Sequence, residues 1–184
     1  MTDTAIVGEN VEIIQTRGVR TAFTWSVVIA GALAAWAVAF IFISLGTGIG
    51  LAVASPYSGP SATAMTIGGA VWLIFSETVA YTTGGYLAAR LRVRDHIPGP
   101  ETKFRDAAHG FMVWVVGVGL MIVALIATGA VSAHVDAGTT TVMTDAARKA
   151  TAYLSFWSFM ALLFGAVAAT LAGILGGELR DEAA

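Results

Sequence analysis

The sequence predicts an all-α polytopic membrane protein: a four-transmembrane-helix bundle with both termini on the cytoplasmic side. Three observations carry that expectation. The 184 residues are 57% hydrophobic and only 12% charged, about half the charge of an ordinary soluble domain. No Asp, Glu, Lys or Arg occurs in 21–76, 78–89, 107–133 or 150–177, and a bilayer core of about 30 Å needs about 20 helical residues. The basic residues, finally, fall almost entirely on one side of the spans these gaps define.

In chain order, residues 1–22 are a polar cytoplasmic segment. Asp3, Glu9 and Glu12 there are unlike the basic start of a cleavable signal. Residues 23–176 form the transmembrane domain, with spans over about 23–50, 63–90, 107–131 and 151–176, and 177–184 form a cytoplasmic tail. Pro56, Gly59 and Pro60 make the first turn, and Pro98-Gly99-Pro100 breaks the middle loop. The third loop is polar and Thr-rich. Its "TDAARKA" is expected to start a short surface helix, capped by Thr144 or Asp145. Helices are the expected form because an open sheet would leave backbone groups unpaired in lipid.

Arg17, Arg20, Arg90, Arg92, Arg94, Lys103, Arg105 and Arg180 lie on one side of these spans, and only Arg148 and Lys149 on the other. The positive-inside rule then puts the eight in the cytoplasm. Trp25 and Tyr86 fall near the inner interface, and Tyr57, Tyr153 and Trp157 near the outer one.

Several function classes are disfavoured. The absence of cysteine removes disulfides, thiolate chemistry and cysteine-ligated metals. The net charge of −2 gives no footprint for nucleic acid. No H-E-x-x-H, G-x-S-x-G or P-loop occurs, so an enzyme is not expected. His134 and Asp136 are too few for a metal site, His96 stands in a loop, and only His109 approaches a span, so neither metal nor haem is expected.

Four features remain. Gly165, Ala169, Gly173 and Gly177 form a small-residue stripe on span four, and Ala80, Gly84 and Ala88 repeat it on span two. Such residues permit close helix approach, either within one bundle or between subunits. Glu77 lies 13 residues before Arg90, about 20 Å along a helix, and so near the midplane. A carboxylate there has three readings: a hydrogen-bonding group between helices, reaching Ser76, Thr78 or the Trp36 indole; a proton or cation site; or a contact to another protein. Asp106 and His109, a turn apart, can meet on one face at the start of span three. Arg90, Arg92, Arg94, Lys103 and Arg105 are candidate contacts for anionic lipid headgroups. In addition, "AYTTGGYLAARLR" (80–92) can be laid on "AATLAGILGGELR" (168–180), matching Gly85 with Gly173 and Arg92 with Arg180, as a parallel duplicated hairpin would.

The stretches "WSVVIAGALAA" (25–35), "LGTGIGLA" (45–52), "GGYLAARL" (84–91) and "HGFMVW" (109–114) resemble a group of small bacterial membrane proteins, many labelled hypothetical or PhnA-like. The likeness covers about 22–120 and implies an inner-membrane protein with no assigned activity and no role for Glu77. The expected function is therefore non-enzymatic: association through helix faces, as a homo-oligomer or an accessory subunit of a larger membrane complex. The alternative is a small proton- or cation-coupled transporter or channel using Glu77.

Overall fold

The computed structural model describes residues 23–53, 61–93, 99–129 and 145–183. Among them the chain forms four helices, α1 (Trp25–Val53), α2 (Ala62–Leu91), α3 (Pro100–Ala127) and α4 (Asp145–Glu182). All four are long and apolar enough to cross a membrane, so the chain is all-α and a candidate multi-pass membrane protein. The Ser61 hydroxyl caps α2 by accepting from the Ala64 amide at 3.2 Å. Pro100 opens α3 at its first turn, where its missing N–H costs nothing. Past the end of α3 the chain turns at Gly129, whose φ of +70° favours glycine.

Two helices outrun their expected spans. α3 begins at Pro100, not near 107. α4 is one helix of 38 residues, absorbing both the surface helix expected at "TDAARKA" and most of the expected tail. The reason is pairing. Arg105 meets Glu101 at 3.0 Å and Arg148 meets Asp145 at 3.1 Å along their own helices, while Arg180 is held by Asp106 on α3. Helix therefore continues into sequence that a hydropathy boundary assigns to loops.

The helices alternate in direction. The starts of α1 and α3 and the ends of α2 and α4 meet at one end, where Thr24 bonds His109 and Arg180 bonds both Ala89 and Asp106. Arg90, Arg92, Lys103, Arg105 and Arg180 make this the basic end of the bundle. α2 and α3 each touch all the other helices; α1 and α4 flank that pair and do not pack on each other among the described residues.

The core sits in the half nearest the basic end. Val28, Ala32 and Ala35 of α1, Tyr81 and Ala88 of α2, Val113 of α3 and Ala169 of α4 form it. Two close approaches set its geometry. Where α1 crosses α2, a Cβ on Gly31 would lie 2.6 Å from the Gly84 carbonyl oxygen. Where α2, α3 and α4 converge, the Ala169 carbonyl oxygen leaves no room for a Cβ on Gly85 or Gly110. Backbones this close gain van der Waals contact and weak Cα–H···O bonds, which replace hydrophobic driving force in lipid. Toward the other end the bundle opens. None of the described side chains in 36–53, 64–69, 118–127 or 145–160 is buried, and Phe40 and Leu51 are each 73% exposed.

Candidate functional site

Two polar features lie within this frame: a cluster of charges at the basic end and a carboxylate in the middle of α2. The cluster is centred on Asp106, in the second turn of α3. Its Oδ1 accepts from Arg92 Nε at 2.8 Å and Arg180 Nη1 at 3.1 Å, and its Oδ2 accepts from Arg180 Nη2 at 3.1 Å. Arg180 Nη1 also donates to the Ala89 carbonyl at 2.9 Å, and its Nε to Asp181 at 3.0 Å. The side chains of Asp106 and Arg92 are 3% and 5% exposed. One carboxylate thus ties the start of α3 to the ends of α2 and α4, with each charge at the helix end whose dipole favours it. Charge-assisted, partly bidentate bonds of this kind are the strong ones. Gly177 makes the arrangement possible, because a Cβ there would run into the Asp106 carboxylate.

His109, also buried, does something different. Its Nε2 accepts from the Thr24 backbone amide at 3.1 Å, so its Nδ1 must carry the proton it shares with the Arg105 carbonyl at 2.7 Å. Phe23 stacks on the ring at 4.5 Å. The neutral imidazole therefore satisfies an amide at the start of α1 that helix bonding leaves free. Asp106 and His109, a turn apart on α3, take different hydrogen-bond partners: Asp106 holds Arg92 and Arg180, whereas His109 holds the Thr24 amide and the Arg105 carbonyl.

The arginine group is also sorted by the structure. Arg92 is not available to headgroups, because Asp106 holds it inside. Lys103 meets Glu178 at 2.7 Å and Arg105 meets Glu101 at 3.0 Å, both with partial exposure. Arg90 is exposed, with its guanidinium 6.0 Å from the Tyr86 ring centroid. Arg94, His96, His134, Asp136 and Tyr57 lie outside the described residues. Among the described residues no group of His, Asp and Glu has the makings of a metal site.

The small-residue stripes turn inward. Gly165 faces Tyr81, Ala169 faces Gly85 and Gly110, and Gly173 and Gly177 face Asp106. Ala80, Gly84 and Ala88 are buried on α2. Of the two readings of the α4 stripe, these contacts match packing within one bundle, with α2 and α3 of the same chain against it.

Glu77 lies in the middle of α2, half-buried, one turn from the buried Tyr81. The hydrogen-bond partners expected for it are engaged elsewhere. Ser76 donates to the Trp72 carbonyl at 2.7 Å, Thr78 to the Ile74 carbonyl at 2.7 Å, and the Trp36 indole to the Gly117 carbonyl at 3.0 Å. Glu77 makes no hydrogen bond or ion pair among the described residues. Nor does the buried indole nitrogen of Trp114 find a hydrogen-bond partner there. Just beyond Glu77, between the open halves of α1 and α2 and lined also by Leu154 of α4, lies an apolar groove of about 690 Å³ whose walls include Gly46, Gly50, Gly68, Trp72 and Ser76. A Cβ added at Gly48, Gly50, Gly68 or Gly69 would meet nothing.

Sequence reasoning missed that Arg180 is a partner of Asp106. A signal existed in the overlay of 80–92 on 168–180, which matches Arg92 with Arg180, the two guanidiniums that converge on that carboxylate. No family model matches this chain, and no curated protein or solved structure matches it either.

Proposed function

We propose that the protein is a non-enzymatic component of a bacterial inner membrane that works by helix–helix association, as a homo-oligomer or as an accessory subunit of a larger membrane complex. Its basic end and both termini face the cytoplasm in this reading, supported by the eight Lys and Arg residues that the sequence assigns to that side of the spans. The observation that carries the proposal is Glu77. A carboxylate at mid-depth costs several kcal/mol unless paired or wet, and this one lacks a partner among the described residues at the level where the bundle opens. The open glycine faces of α1 and α2 beside it suit a helix from a second chain, because they admit a backbone at close range.

Native mass spectrometry of the protein, extracted gently from its own membranes, tests this. The expected result is a mass above the monomer, made of copies of this chain or including another polypeptide. Gly68→Leu should reduce it to the monomer while the helix content stays unchanged. A wild-type protein found only as monomer overturns the proposal.

The same unpartnered carboxylate suits a second reading, a proton- or cation-coupled transporter assembled around Glu77. Flux into liposomes that Glu77→Gln abolishes would favour it, and equal flux through both proteins would remove it.

A further inference from the structure

Arg92, Lys103, Arg105 and Arg180 at the basic end each meet a carboxylate within 3.1 Å. Arg90 differs: it is exposed and makes no ion pair among the described residues, and its guanidinium rests by the Tyr86 ring. Thr78, Thr82, Tyr86 and Arg90 follow at intervals of four and so share one face of α2. Beside that face, between α2 and α4, runs an open groove of about 590 Å³ lined by Thr78, Thr82, Tyr86, Phe164, Leu171 and Leu175 among others. The hydroxyl of Thr78 turns back to the Ile74 carbonyl at 2.7 Å, which satisfies its donor within the helix and leaves the groove mainly apolar. From Thr78 to Arg90 the face is about 18 Å long, close to the roughly 15 Å depth of one leaflet's hydrocarbon.

We propose that this α2–α4 groove binds an anionic phospholipid, with an acyl chain along Phe164, Leu171 and Leu175 and the phosphate on Arg90. The charge one turn beyond Tyr86, the lining residue nearest the basic end on α2, decides the occupant. An exposed guanidinium at headgroup depth, without an ion pair among the described residues, fits phosphate oxygens through its planar fork, and the Tyr86 ring helps to hold it in place. A second helix lying in the groove would leave that cation unmatched. The site does not depend on the association reading, which concerns the opposite, open half of the bundle.

The test is lipid retention by the full chain in neutral detergent, with phosphatidylglycerol and phosphatidylcholine of identical acyl chains and native mass spectrometry to count bound lipid. The wild type should retain phosphatidylglycerol preferentially. Arg90→Gln should lower that retention about fivefold, the effect of one cation near an anionic headgroup, and bring the two lipids level. Thr82→Phe, at an exposed position, should fill the groove and lower retention of both lipids. Lys149→Gln, at the other end of the bundle, should change nothing. Equal retention of the two lipids by the wild type, or an Arg90→Gln protein that retains phosphatidylglycerol like the wild type, overturns the proposal.

Discussion

The two halves of the bundle are built from much the same residues and behave oppositely. Near the basic end, Gly31, Gly84, Gly85 and Gly110 each meet a facing backbone, and Asp106 ties three helices together. In the other half, Gly48, Gly50, Gly68 and Gly69 face open space, and large apolar side chains such as Phe40 stand exposed. Small residues permit close packing in lipid but do not cause it. What closes one half is the polar clasp at its end. The open half carries polar fastenings too, the Trp72 indole bonded to the Phe42 carbonyl at 2.9 Å and, at its border, the Trp36 indole bonded to the Gly117 carbonyl at 3.0 Å, but these are single neutral bonds between two helices, not a charged group shared by three.

The largest effect that can break this comparison is loss of the clasp. Asp106→Ala leaves two guanidiniums without their carboxylate and should destabilise the protein by about 3–5 kcal/mol. Unfolding in mixed micelles of increasing SDS content, followed by tryptophan fluorescence, measures it; a shift below about 1 kcal/mol would mean that glycine packing closes this half unaided.

Next come paired alanine substitutions. Gly110→Ala forces a Cβ against the Ala169 carbonyl and should cost about 1–3 kcal/mol. Gly68→Ala meets nothing and should be neutral or stabilising by up to about 1 kcal/mol, since alanine favours helix over glycine. Equal shifts in the same unfolding assay would erase the distinction between the halves.

His109→Ala removes the acceptor for the Thr24 amide and should cost about 1–3 kcal/mol. It should also speed hydrogen exchange at that amide more than at amides in the middle of α1. Uniform acceleration along α1 would mean that the histidine supports the whole bundle, not the start of one helix.

The smallest effect is expected from Glu77→Gln, which removes no contact described within this chain. Unfolding of the monomer should shift by less than about 1 kcal/mol, even where assembly or flux changes. A large monomer shift would show that Glu77 has a partner in its own chain.

Much of this architecture was legible in the sequence because membranes impose it locally. Charge-free stretches and the lopsided arginines are read residue by residue, so four helices followed without knowledge of any contact. Span ends were less legible: hydropathy stops at charges, whereas α3 and α4 continue through charges that find partners. Only the tertiary structure decided what each polar or small residue does. Arg92 reads like Arg90 in the sequence, yet one is buried against Asp106 and the other faces outward. The α4 stripe suits two interfaces equally well until α2 and α3 are seen to occupy it. The physical reason is common to these cases. Hydrogen bonds and close backbone contacts act over a few ångströms, between residues as far apart in the chain as Asp106 and Arg180, and a one-dimensional pattern carries the periodicity of a face but not the identity of its neighbour.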